Sequence, residues 1–154
     1  MMRRIVHLLQ EFPFIRLSHA FVLARIVTAI LFMAHAVVRI ITGSIPQFGL
    51  FMESVGFQNG QASVWAITIC ELTAGGLLIA NRLVPLAASV LLVIAATGIA
   101  LIHWRFGWFV GEHGTGGSEY SVALMILLLL VIANDRAGRK SRSGIAASQG
   151  AQSK

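Results

Sequence analysis

Charge is scarce in this chain. Only 12% of its 154 residues are Asp, Glu, Lys or Arg, against about 25% in a soluble globular domain. With 56% hydrophobic residues and a mean hydropathy of +0.80, a chain of this kind would precipitate in water. That excludes a soluble fold and leaves an integral membrane protein whose length allows one domain. Cysteine is nearly absent. Cys70 stands alone, which excludes an internal disulfide or dithiol redox pair, and within a hydrophobic segment it reads as a small apolar filler. There is no CxxC, no HExxH and no glycine loop between a strand and a helix, so the motifs of thiol redox, zinc hydrolysis and nucleotide binding are missing. No internal repeat is evident. Acidic residues are few, six against twelve Lys and Arg, for a net charge of +6. The excess sits at helix ends and in the tails rather than on an aromatic-rich face. It therefore reads as an orientation signal and a contact to anionic lipid, with no nucleic acid as partner.

What is present is a series of apolar runs. Residues 1–20 mix Arg3, Arg4 and Arg16 with apolar residues around Pro13 and read as an amphipathic segment on the membrane surface. Spans are expected at about 21–42, 62–80, 83–103 and 119–134, near the ~20 residues that a bilayer requires, the fourth being short. Gly43, Ser44 and Pro46 end the first. Residues 43–61 carry too few apolar positions to span and read as a short helix against the bundle mouth. Asn81-Arg82 forms a tight turn, and Pro85 suits the first turn of the helix after it. Trp104 and Trp108 mark a headgroup-level belt, a glycine-rich loop fills 105–118, and residues 135–154 form a basic tail expected to be disordered. The fold class is thus an all-α, integral membrane four-helix bundle over residues 21–134. Lys and Arg flank the N-terminal side, the 81–82 turn and the C-terminal tail, which puts both termini in the cytoplasm and both long loops outside. The Ala34-His35-Ala36 stretch looks like a secretory cleavage site. The long N-terminal region, the interruption at Arg25 and the continuation past Ala36 argue against cleavage.

The most informative residues are ionisable groups inside these runs, where each costs about 2.5–3.5 kcal/mol and is usually paired or functional. The first span carries Arg25, His35 and Arg39, and the second carries Glu71. At 1.5 Å per residue, Arg25 and Arg39 lie roughly 21 Å apart along the axis, so they cannot meet at one small group. Glu71 falls in depth between Arg25 and His35. Either could pair with it, and Arg25 is the better anchor because guanidinium binds carboxylate through two parallel hydrogen bonds. Arg39 reads as a snorkelling boundary group and the weakest member of the set. Ala74, Gly75 and Gly76 allow close helix approach beside Glu71.

A second polar cluster is expected at the outer face: His103, His113, Glu119 and Tyr120. Two histidines and a carboxylate can bind a metal, but the spacing matches no tight ligand motif, and no metal is assigned. Glu119 also suits a helix N-terminus, with Ser118 as its natural N-cap. His35 and His103 both fall in the outer half but offset, so they are not read as a haem pair.

Taken together, these residues resemble the DoxX family of small four-helix bacterial membrane proteins over about residues 20–134. The resemblance is carried by Arg25 followed by His35-Ala36-Val37-Val38-Arg39, by Glu71-Leu72-Thr73-Ala74-Gly75-Gly76, and by the glycine-rich stretch leading to Glu119-Tyr120. Ala36 stands where the family pattern has glycine, and Arg39 where it has lysine. At the end of the last span Asn134-Asp135-Arg136-Ala137-Gly138-Arg139 replaces a glycine-rich, Ser-Leu-Asp-like segment. The resemblance implies a bacterial inner-membrane, multi-pass protein of a family linked to sulfur and redox metabolism, including subunits of thiosulfate:quinone oxidoreductase, and to oxidative-stress defence.

Two functions fit. One is a redox-linked membrane subunit that binds a quinone between helices, with Arg25, His35, Glu71 and Arg39 as its polar site and a partner redox protein as its electron source. The other is a non-enzymatic scaffold or small-molecule carrier whose buried charges lock the bundle. The residues do not choose between them, nor do they fix the oligomeric state.

Overall fold

The computed structural model describes residues 15–109 and 116–152. Among them are five α-helices and no strand: α1 (Leu17–Ile41), α2 (Ile45–Ser54), α3 (Gly60–Ile79), α4 (Val84–Leu101) and α5 (Glu119–Gln152), with a 3-10 turn over His103–Phe106. Four segments are long and apolar enough to cross a membrane: α1, α3, α4 and residues Glu119–Ser141 of α5. The chain is a multi-pass membrane protein. α1 packs against α3 and α5, α3 against α4, and α4 against α5. The spans therefore close into a ring in chain order, the arrangement short connections favour in helical bundles.

The punctuation of the sequence sets the boundaries. Gly43, at φ 64°, turns the chain out of α1, and Pro46 lies in the first turn of α2. The Asn59 side chain caps α3 by accepting the Ala62 N–H at 3.0 Å. Asn81 and Leu83 both take left-handed conformations, at φ 57° and 47°. Asn tolerates this well and Leu poorly, so Leu83 stores strain in the turn that reverses α3 into α4. Residues 17–20 of the expected surface segment belong to α1; residues 1–14 lie outside the described residues.

The tail expected to be disordered differs. α5 runs on from Asn134 to Gln152 without a break. No proline interrupts it, and its Ala, Arg, Lys and Gln residues are good helix formers. Asp135 and Arg139, one turn apart, form an ion pair at 2.6 Å. The continuation also resolves the shortness of the fourth apolar run, since the segment suited to span reaches Ser141.

Packing is uneven along the bundle. From its middle to the α3–α4 turn, small and branched side chains interlock: Ala29 and Phe32 of α1, Ala74 and Leu78 of α3, Ala87, Ala88 and Leu91 of α4, and Leu124, Leu128 and Val131 of α5 are all buried. Small residues let membrane helices approach closely, where dispersion contacts drive association. At Gly75 an added methyl would overlap the Met33 side chain. The short helix α2 lies against α3, where a methyl at Gly60 would run into the Gly49 carbonyl. Ile45, Met52 and Val64 are buried between these two helices. The opposite end of the bundle is hollow, and α2 forms part of its wall.

Candidate functional site

The register of α1 on α3 decides which charges meet. Arg25 donates to the Asn81 side chain, Met33 faces Gly75, and Arg39 donates to the Thr68 hydroxyl. In this antiparallel register Glu71 faces the stretch between Met33 and Arg39, and Arg25 is ~15 Å away along α1. The expectation that Arg25 or His35 anchors Glu71 is corrected: Arg39 Nη1 donates to Glu71 Oε2 at 3.0 Å and to Thr68 Oγ1 at 2.6 Å. The Thr68 hydroxyl donates to the Val64 carbonyl at 2.8 Å, leaving its oxygen to accept from Arg39. Arg39 is also no snorkelling group. Its side chain is 13% exposed and that of Glu71 5%, and its guanidinium sits 5.6 Å from the centroid of the Phe48 ring on α2, within cation–π range.

Arg39, Glu71 and His35 line a cavity of about 620 Å³ enclosed by all four spans and α2. His103 and Tyr120, expected as part of a separate outer cluster, line the same cavity. Two polar sets read apart in the sequence are therefore one site, because the 3-10 turn after α4 and the first turn of α5 close over the mouth that α1 and α3 open. The His35 and Tyr120 rings lie 6.4 Å apart at 58°. The His103 ring is flanked by Gly98 and Gly116, where an added methyl would meet it at 3.7–4.0 Å, and its Nδ1 is buried without a hydrogen-bond partner. The remaining walls are mostly apolar, among them Phe32, Ile67, Leu101 and Leu124.

Arg25 lies outside this cavity. Glu119 opens α5 in its first turn, where an acidic group suits the helix dipole, and it is not among the cavity-lining residues. Ser118 stands at the expected N-cap position, its carbonyl accepting the Val122 N–H at 3.0 Å, while its hydroxyl donates to the Gly107 carbonyl at 3.3 Å. His113 lies outside the described residues. Among the described residues no group of three or more His, Cys, Asp or Glu could hold a metal ion.

Three site residues went unnoticed in the sequence: Thr68, Phe48, and Ser121 of α5, which also lines the cavity. Thr68 had a readable signal, being one turn before Glu71 on the same face. Phe48 had none, since its meeting with Arg39 depends on α2 folding back.

Residues 20–104 match the family model described as DoxX. The match covers more than half of the chain, from α1 into the 3-10 turn, and stops before α5 and Tyr120. No curated protein and no solved structure matches the chain.

Proposed function

The chain belongs to the DoxX family, and from that premise we propose that it is a redox-linked membrane subunit binding a quinone, or a similar small lipophilic carbonyl compound, between its helices. The observation that carries this reading is the single cavity of about 620 Å³ that gathers Arg39, Glu71, His35, His103 and Tyr120 within largely apolar walls. Its size falls among ligand sites of about 300–1,000 Å³, which combine apolar walls with a few placed polar groups. A quinone suits this composition because its ring is apolar and its two carbonyl oxygens accept hydrogen bonds. Arg39 lines the α1–α3 side and retains donors beyond Nη1, while His103 and Tyr120 line the α4–α5 side. The buried, unpartnered His103 Nδ1 is the kind of group a bound ligand satisfies. Reduction of a quinone to a quinol takes two electrons and two protons. His35, Glu71 and Tyr120 are titratable groups able to relay the protons, and a partner redox protein supplies the electrons. The test is quinone binding by the purified protein, wild type against Glu71→Gln and His35→Ala. Saturable binding weakened in both variants is expected; equal binding in all three, or none in any, overturns the reading.

The Arg39–Glu71 pair also favours a second reading, in which it locks the register of α1 on α3 in a scaffold or carrier. If Arg39→Leu with Glu71→Leu regains the stability lost by either change alone, and function persists, the pair is a lock only. The basic residues flanking the 81–82 turn and the tail support a bacterial inner-membrane location with both termini cytoplasmic. The inward turn of Arg39 strengthens that count by removing one cation from the outer side.

A further inference from the structure

A second hollow lies behind the first. A groove of about 390 Å³ runs between α3 and α4 on the membrane-facing surface of the bundle, with exposed Cys70 and half-buried Ser89 among its lining residues. Ala66, Ile67, Val93 and Ile94 border both this groove and the polar cavity, so the two hollows share a wall of side chains. Cys70 and Glu71 are neighbours on α3, and a turn of 100° per residue sends Glu71 inward, buried, and Cys70 outward, exposed. Cys70 lies midway along Gly60–Ile79, so the groove opens at mid-bilayer depth, among lipid chains and away from either headgroup layer.

We propose that this groove is a lateral portal and tail seat. The ligand of the cavity belongs to the class with a polar ring and a long alkyl or isoprenoid tail, and its tail leaves between α3 and α4 past Cys70 and Ser89. The inference rests on the ligand reading above and specifies its chemistry. Continuity with the polar cavity argues for this occupant. A head group held at Arg39 and His103 would reach the groove past Ile67 and Ile94, which line both hollows. Lipid chains are as apolar as the groove, so the groove provides room for a tail more than it provides affinity. Blocking it therefore excludes tailed ligands by steric conflict while sparing tailless ones.

Two probes separate head from tail: tetramethyl-para-benzoquinone and its trimethyl-decyl analogue, both fully substituted and so unable to add a thiol at an open ring carbon. In the full-length protein in lipid nanodiscs, both probes are expected to bind. Cys70→Phe and Ser89→Phe plug the groove from opposite helices without lining the cavity. Each is expected to weaken the decyl probe at least about tenfold and to keep the tailless probe within about twofold, a result that also reports an intact head site. If the decyl probe binds wild type and both plugged variants alike, the portal is overturned and the ligand reading stands. Binding of neither probe to wild type overturns both.

Discussion

The two arginines of α1 sit in opposite kinds of surroundings. Arg25, in the half nearer the α3–α4 turn, meets the Asn81 side chain, with its Nε buried and unpartnered beside a close-packed core of alanine, leucine and valine. Arg39, in the other half, holds Glu71 and Thr68 and faces Phe48 at the wall of a large cavity. One end of the bundle is filled and its charge tethers a turn; the other is hollow and its charges converge. A protein held together only by packing has no need of the second arrangement. Tight packing at one end keeps four helices in register, and that fixed register lets the other end stay open without collapsing.

Removing the anion from the hollow end should have the largest effect. Glu71→Leu leaves Arg39 buried and uncompensated, and a loss of about 3–5 kcal/mol is expected, read as a lowered unfolding midpoint in detergent. Adding Arg39→Leu should return most of that stability while abolishing quinone binding. If the double variant still binds, the polar pair has no part in recognition and the contrast between the two ends fails.

A comparable cost, about 2–5 kcal/mol, is expected for Leu78→Ala, which empties a fully buried site at the filled end. The matching Leu101→Ala at the cavity wall, where the side chain is half-buried and packs on the Ile45, Met52 and Val64 cluster, should cost distinctly less, because a half-buried side chain beside a cavity forfeits fewer contacts. Equal costs at the two positions would mean that the hollow end is packed as firmly as the filled one.

Much of this contrast was legible in the sequence. Apolar run lengths gave four spans, Asn81-Arg82 gave the reversal, and Trp104 and Trp108 gave an aromatic rim, where both are exposed. Intramembrane charge singled out Arg25, His35, Arg39 and Glu71, and three of those four line the cavity. The pairing was not legible. Depth counted from span ends placed Glu71 between Arg25 and His35, whereas the packed register, with Met33 against Gly75, brings Arg39 opposite Thr68 and Glu71. The union of His35 with His103 and Tyr120 was hidden for a related reason: it depends on how the 3-10 turn and the start of α5 fold over the mouth, and no periodicity within one helix encodes that. The helical continuation past Asn134 shows local propensity and an i,i+4 ion pair outweighing the lack of apolar side chains.

The short helix α2 offers a sharper test of what encloses the hollow end. Gly60→Ala would drive a methyl into the Gly49 carbonyl, which is backbone and cannot rotate away. A loss of about 1–3 kcal/mol is expected, together with looser ligand binding as Phe48 and Met52 move off the cavity. Gly76→Ala, on the same α3 helix with nothing within 4 Å of the added methyl, is the control: it should leave ligand binding unchanged and raise stability slightly, by about 0.5–1 kcal/mol, as glycine gives way to alanine inside a helix. The smallest effect belongs to the filled end's own charge: Arg25→Leu removes one side-chain hydrogen bond, costs about 1 kcal/mol, and leaves quinone affinity within about twofold.

The central claim is that the charges at the hollow end form a ligand site rather than a lock. Titration of the purified protein with a quinone, in wild type, His103→Ala and Arg25→Leu, tests it most directly, since neither residue belongs to the Arg39–Glu71 pair. The account predicts saturable binding that weakens about tenfold in His103→Ala with an unchanged unfolding midpoint, and full affinity in Arg25→Leu. Binding that is absent in wild type, or equally strong in all three proteins, would contradict it.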